Sequence, residues 1–164
     1  MPGAAAPGWA PVAFRLGPSG YALTSLGRVF FLKAPAESQP HQAVEDLMAR
    51  QGLKAAAIWG IGGFSWARLG VFSPEEGRYY TADVEAEAGR VLEVLSLQGN
   101  SVLGPDGAYY THLHAVVARS PGEVLGGHLV DARVEPFLEL FVAELVGDAG
   151  RMRELLSHRW ATRG

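Results

Sequence analysis

Short apolar runs and segments of alternating apolar and polar residues, separated by turn residues, make up most of the chain. This pattern is typical of β-strands and predicts them at residues 21–34, 55–63, 64–72, 78–84, 89–100, 108–118, 123–134 and 136–145. Residues 84–95 could instead form a short helix, because short apolar runs do not distinguish a strand from a helix. The chain is therefore predicted to consist mainly of strands.

Two segments have the pattern of helices instead. Val44 and Met48 recur at the spacing of one helix face, with Ser38 available to cap the start and Gly52 to end the helix. A second helix is predicted at residues 148–160, where the chain closes.

The turns indicate how the strands pair. Turn residues such as Asp106–Gly107 and Pro121–Gly122 join successive strands, and hairpins of this kind connect antiparallel neighbours. We therefore predict an α+β fold, a largely antiparallel β-sheet with one helix near the N-terminus and one at the C-terminus. A chain of 164 residues has the size of one domain. We place that domain at residues 21–147, after a flexible arm rich in Pro and Gly at 1–20 and before a basic C-terminal helix or tail at 148–164.

Three of the five histidines lie close together in the sequence. His112 and His114 point to the same face, because side chains alternate along a strand. If Ser120–Gly122 forms a three-residue loop, His114 faces His128 across a hairpin, with Cβ atoms roughly 4.5–5.5 Å apart. A two-residue loop would turn His128 to the other face, unless Gly126–Gly127 forms a bulge that restores the pairing. Whether the three rings meet therefore depends on the register.

Three imidazoles that meet at one point are suited to a metal. Neutral imidazole binds Zn²⁺ at ~2.0–2.1 Å, and three protein ligands leave a fourth position for water or a carboxylate. The chain has no cysteine, so histidine and carboxylate are its only plausible metal ligands. Glu93, Asn100 and Arg90 are further candidates to line the pocket or to hydrogen-bond the histidines. Alternatively, the three histidines are polar residues on an exposed strand face, or they bond to carbonyl groups.

Charge is distributed unevenly along the chain. The net charge is −3, and residues 151–164 contribute +3, so residues 1–150 carry −6. A body this acidic is unsuited to a phosphate backbone, because nucleic-acid affinity comes from many Lys and Arg contacts. The basic residues available for a nucleic-acid tail are Arg151, Arg153, Arg159 and Arg163. A solvated helix end is the more common role for such arginines.

Neither a membrane span nor a secretion signal is visible. No apolar run approaches the ~18 residues that a span needs, and the first residues lack the basic and apolar regions of a signal peptide. We therefore expect a cytoplasmic protein without membrane contact.

The order of several short motifs resembles that of the PPC (plants and prokaryotes conserved) domain, also known as DUF296. The motifs are Gly60–Gly63, Leu69–Phe72, Glu93–Asn100, His112–His114 and Gly126–Leu129. The resemblance implies a compact domain with a largely antiparallel sheet that assembles as a homotrimer. It also implies a fold similar to that of acetolactate decarboxylase, where histidines hold zinc in a small-molecule site. The residues that would match such a site are His112, His114 and His128.

The resemblance carries an implication about DNA as well. In plants the domain follows AT-hook motifs that hold the minor groove of AT-rich DNA, and stand-alone prokaryotic members are usually classed as DNA-binding by that analogy. No Arg-Gly-Arg-Pro hook occurs in this sequence. The DNA role is thus implied by the family more than by the residues.

Three functions remain open on this basis. The first is a homotrimeric, regulatory or DNA-associated module with a three-histidine pocket for zinc or a small ligand. The second is a nucleic-acid binder that uses the C-terminal arginines. The third is a zinc-dependent small-molecule enzyme, a lyase or hydrolase, in which Glu93 or Arg90 assists. We rank them in that order.

Overall fold

The structure, a computed structural model, describes residues 17–159. In chain order its elements are β1 Thr24–Pro35, α1 Pro40–Gln51, β2 Ala55–Ser73, β3 Arg78–Glu85, β4 Leu92–Leu103, β5 Tyr109–Ser120, β6 Glu123–Gly147 and α2 Ala149–Leu155, followed by a 3₁₀ turn at Ser157–Arg159. None of the helices within residues 17–159 has the length and apolar character needed to cross a membrane. Most of the predicted arm at 1–20 falls outside the described residues.

The strands form one antiparallel sheet that closes on itself. The strand order is β1-β6-β5-β4-β2-β3, and β6 pairs with β2 as well. Strands β2, β4, β5 and β6 thus form a closed ring of pairings, while β1 extends the sheet from β6 and β3 extends it from β2. The predicted α+β fold, with a largely antiparallel sheet and a helix near each end, is confirmed. Residues 92–103 form a strand, so the alternative of a helix at 84–95 is wrong.

The two longest strands were each predicted as two separate strands, and that division is wrong. Strand β2 runs through Gly63 without a break, and its pairing with β6 shifts register between Gly62 and Phe64 and again before Trp66. The glycines that interrupt the apolar pattern therefore mark bulges, which bend a strand without ending it. Strand β6 likewise continues through Pro136. Both long strands bend in this way and each pairs with three other strands, β2 with β3, β4 and β6, and β6 with β1, β2 and β5.

The core lies inside the ring of strands and beneath α1. Alternate residues of β5, Leu113, Ala115 and Val117, are fully or almost fully buried, and Phe64 of β2 is the largest completely buried side chain. Helix α1 packs its buried residues against the same cluster. The opposite face of β5, which carries the histidines, is therefore the outer face of the ring.

Helix α1 begins one residue later than predicted. Its N-cap is Gln39, whose side-chain oxygen accepts a hydrogen bond from the Gln42 amide at 3.3 Å. Ser38, the predicted cap, donates its hydroxyl to the Pro35 carbonyl instead, at 2.5 Å. Gly52 ends the helix in the left-handed region at φ 66°, as predicted.

An aromatic row crosses the outer face of the sheet. Phe31 of β1, Phe141 of β6 and Trp59 of β2 occupy directly paired positions. The ring of Phe141 packs edge-on to Phe31 at 5.4 Å and stacks on Trp59 at 5.5 Å. These three side chains, named the aromatic row below, remain 40–58% exposed. A contiguous exposed apolar patch of this kind is typical of an interface.

Candidate metal centre

The β5–β6 hairpin brings the predicted histidines together. His114 pairs directly with His128 in the antiparallel register, which confirms the predicted facing. The facing was predicted for a three-residue loop or for a bulge at Gly126–Gly127, and the structure uses neither. Ser120 pairs with Glu123, so only Pro121 and Gly122 form the loop, and the register shifts between Ala118 and Ser120. The extra residue in β5 offsets the shorter loop and returns His128 to the side of the other two histidines.

The three imidazoles form a compact cluster. The Nε2 atoms of His112 and His114 are 3.0 Å apart. The ring centroid of His128 lies 4.8 Å from that of His112 and 5.6 Å from that of His114. One ring nitrogen from each residue lies within 4.8 Å of the other two. All three rings can therefore direct a nitrogen toward a common point.

The surroundings of the cluster favour neutral rings. Burial lowers the pKa of His112 to about 3, with further contributions from the charges of His128 and Arg159. Burial likewise lowers the pKa of His128 to about 4, with smaller contributions from His114 and His41. Both rings are consequently uncharged at neutral pH. The neutral imidazole is the form that offers a lone pair to a metal.

Two buried polar atoms beside the cluster have no hydrogen-bond partner among the described residues. They are Nδ1 of His128 and Oδ1 of Asn100. Asn100 lies directly opposite His112 across β4 and β5. The ring of His128 is fixed from one side by Tyr79, with centroids 4.6 Å apart. Leaving a buried polar atom unpaired costs free energy, so the arrangement indicates a ligand or ion at this place.

The donor set fits a small divalent metal. Two imidazole nitrogens bound to one zinc at ~2.0–2.1 Å in tetrahedral geometry are roughly 3.3 Å apart. The 3.0 Å separation within the His112–His114 pair is close to that value. The donor nitrogens of all three residues lie within 4.8 Å of one another, so the set closes around one ion when His128 moves nearer to the other two rings. Three histidines with an open side are the ligand set of open zinc sites.

A cavity of ≈ 370 Å³ opens beside the cluster. Its wall includes His112 and His128, His41 and Glu45 of α1, Tyr79 of β3, and Arg159 of the C-terminal turn. His158 of the C-terminal turn lines this cavity as well. The volume falls within the range of small-molecule sites, ~300–1,000 Å³. The histidines are therefore next to a space that can hold a ligand.

The sequence profile of the Plants and Prokaryotes Conserved (PCC) domain, which is also written PPC, matches residues 21–146. The chain belongs to the PCC family. The matched segment contains all three histidines and ends before α2, so His158 and Arg159 lie outside it.

Solved structures of PCC proteins are similar to this chain. A PPC protein from Pyrococcus horikoshii is 29% identical, with a TM-score of 0.71 over 79% of this chain and 87% of that one. The metal-containing protein AF0104 from Archaeoglobus fulgidus is 30% identical, with a TM-score of 0.71 over 80% of this chain and 89% of that one. A "putative DNA binding protein" from Bacteroides thetaiotaomicron is 23% identical, with a TM-score of 0.64 over 74% of this chain and 83% of that one. At this identity the comparison shows a shared fold and no shared function. No curated protein sequence matches the chain.

The PCC domain places the other predicted pocket residues in two locations. Asn100 lies beside the histidines, as described above. Glu93 and Arg90 line a different cavity of ≈ 920 Å³, together with Arg119 and Pro121 near the tip of the hairpin. Arg90 donates a hydrogen bond to Glu87 at 2.8 Å. The structure thus brings Asn100, but not Glu93 or Arg90, to the three-histidine cluster.

The C-terminal arginines of this PCC protein point in different directions. Arg151 forms an ion pair with Glu154 at 2.7 Å and donates to the Tyr21 carbonyl at 3.4 Å. Arg159 turns toward the histidine cavity and donates to the Tyr110 carbonyl at 3.2 Å. Arg153 is on α2, and Arg163 lies outside the described residues. Within residues 17–159, Arg151 and Arg159 of the predicted nucleic-acid tail thus make separate contacts, Arg151 with Glu154 and Tyr21 and Arg159 at the histidine cavity.

Proposed function

We propose that this PCC protein is a cytoplasmic regulatory module that binds a divalent metal, zinc in the first instance, through His112, His114 and His128. The observation that carries the proposal is that three imidazoles from two paired strands lie close enough to share one ion. The low pKa values of His112 and His128 favour the metal-binding form of these rings at neutral pH. A relative that is 30% identical is described as metal-containing, which also supports metal binding by this chain.

Metal analysis tests this proposal directly. Protein purified without a His-tag, loaded with excess zinc and then desalted, is expected to contain one zinc per chain by elemental mass spectrometry. The triple variant His112→Ala, His114→Ala, His128→Ala is expected to contain none, because it lacks every donor of the cluster. His158→Ala is the matched control, since it removes an imidazole from the cavity wall outside the cluster, and it should keep the metal. A wild-type protein without zinc, or a triple variant that still holds it, would contradict the proposal.

We further propose that the module is a homotrimer that uses the outer sheet face as its interface. The family resemblance implies a trimer. The aromatic row gives that face an apolar surface, and its exposure to water in a single chain is unfavourable. Ile61, Leu95, Val116 and Phe137 are exposed as well and extend the apolar surface beyond the row. Interfaces between copies of one chain are enriched in aromatic residues of this kind.

The molar mass in solution tests the trimer. Light scattering after size exclusion is expected to give three times the chain mass of 17.5 kDa. The double variant Trp59→Ser, Phe141→Ser removes two rings of the aromatic row and is expected to elute as single chains. Val71→Ser is the control. Val71 is 66% exposed, but it lies in the part of β2 that pairs with β3, away from the aromatic row. A monomeric wild type, or a double variant that retains the full mass, would refute this interface.

A further inference from the structure

The wall of the histidine cavity includes a cationic side chain from outside the matched family segment. Arg159 ends the described chain in the 3₁₀ turn after α2, whereas the PCC profile ends at residue 146. Arg159 lines the same cavity as His112 and His128, and its charge is close enough to lower the pKa of His112. The C-terminal turn therefore adds a charge to the site that the family motifs do not contain.

Packing holds this turn against the barrel. Met152 and Leu156, on and after α2, contact a buried cluster that includes Val102 and Tyr110. The Arg159 amide donates to the Leu156 carbonyl at 3.0 Å, which closes the turn. These contacts position the Arg159 side chain, and none of them supplies a negative charge that would neutralise it.

Within residues 17–159, no carboxylate pairs with the guanidinium of Arg159, although Glu45 lines the same cavity. Its Nε is buried without a hydrogen-bond partner among those residues, and one terminal nitrogen donates to the Tyr110 carbonyl. Burial lowers the pKa of Arg159 to about 10, so the side chain is still charged at neutral pH. A partly buried charge without a partner costs free energy, and an anion in the cavity would remove that cost.

We propose that this cavity binds a small organic carboxylate between the metal of the three histidines and the guanidinium of Arg159. The inference rests on the proposed metal site and adds to it the chemical class of the ligand. An open three-histidine site accepts a carboxylate oxygen as its fourth ligand, and the planar fork of an arginine matches a carboxylate in geometry and charge. Tyr79, Tyr109 and Tyr110 also line the cavity, and aromatic residues suit the carbon part of such a molecule.

Cobalt-loaded protein allows this ligand class to be measured without any turnover. The visible absorption of Co²⁺ bound by three histidines changes when a fourth ligand binds, so it reports the dissociation constant of butyrate. Butyramide has the same shape without the charge. We expect Arg159→Gln to weaken butyrate about tenfold, the loss of one charge-assisted pair, and to leave butyramide unchanged. Arg159→Lys should recover part of the loss, because it restores the charge without the fork.

Two controls separate the role of Arg159 from folding and from the metal site. Arg153→Gln removes an arginine from the same C-terminal segment but not from the cavity, so it should bind butyrate as the wild type does. Arg159→Gln should bind Co²⁺ as tightly as the wild type or slightly more tightly, since it removes a positive charge near the ion.

The outcomes are distinguishable. A wild-type protein that binds no Co²⁺ contradicts the metal site itself and the ligand inference with it. A protein that binds Co²⁺ but shows equal butyrate affinity in the wild type and Arg159→Gln overturns the ligand inference alone. Inorganic phosphate is the remaining arm of the test. Phosphate that binds more tightly than butyrate would overturn the assignment to an organic carboxylate.

Discussion

Zinc at roughly a thousandfold excess over its dissociation constant is expected to raise the free energy of unfolding by about 4 kcal/mol, because it binds only the folded chain. In the folded chain three ring nitrogens lie within 4.8 Å of one another across two strands. The unfolded chain has no such preformed site, so the binding free energy becomes stability. Urea unfolding followed by circular dichroism, with zinc and with a chelator, measures the difference.

Removal of one ligand across the hairpin makes the test specific. His128→Ala leaves His112 and His114, which are local in sequence and can bind a metal weakly even in the unfolded chain. We therefore expect the stabilisation by zinc to fall below about 1 kcal/mol in this variant. His158→Ala should keep the full effect, because His158 is not part of the cluster. Equal stabilisation of the wild type and His128→Ala would place the zinc elsewhere on the protein and would contradict the site.

Much of this site was predictable because it follows from local rules. The alternation of side chains along β5 places His112 and His114 on one face. The glycine and proline after Ser120 predict a reversal that brings His128 back. The pairing of His114 with His128 was predicted on condition of a three-residue loop, whereas the structure produces it with a two-residue loop and a bulge near Arg119. A two-residue loop with a bulge and a three-residue loop give the same facing, so the sequence pattern cannot distinguish them.

The other side of the cavity could not be predicted, because it depends on how distant elements pack. Glu45 and His41 are four residues apart in α1 and share a helix face, which was the one available signal. The spacing of these two residues did not show that this face of α1 lies next to β5. Arg159 reaches the cavity only because α2 folds back against the barrel. Glu93 and Arg90 were predicted to line the histidine pocket or assist there, but they lie at another cavity.

The ends of the long strands also could not be predicted from local sequence patterns. Gly63 and Pro136 interrupt the apolar pattern and so predict strand ends. In the closed ring the chain continues through both positions, because β2 and β6 each pair with different neighbours along their length. Local signals therefore predicted where the backbone is irregular, but only the ring of pairings determines whether the strand ends there.

Gly99→Ala is expected to lower the free energy of unfolding by about 3 kcal/mol, at the upper end of the cost of overpacking. Gly99 of β4 pairs with Leu113 of β5, and a Cβ at this position would lie 1.9 Å from the carbonyl oxygen of His112. That oxygen is part of the backbone and cannot rotate away. The two strands would have to separate, because no rotamer change relieves the contact.

The same contact links the glycine to the metal site. Separation of β4 from β5 at His112 would shift its ring relative to His114 and His128, so we expect Gly99→Ala to lose zinc affinity as well as stability. Urea unfolding and metal content of the same samples measure both effects. Gly150→Ala is the matched control, since a Cβ there lies 3.6 Å from its nearest neighbour and alanine is the better helix former. If Gly99→Ala proved as stable as Gly150→Ala and kept its zinc, the strands would tolerate a side chain here and the glycine of the Glu93–Asn100 motif would have no steric explanation.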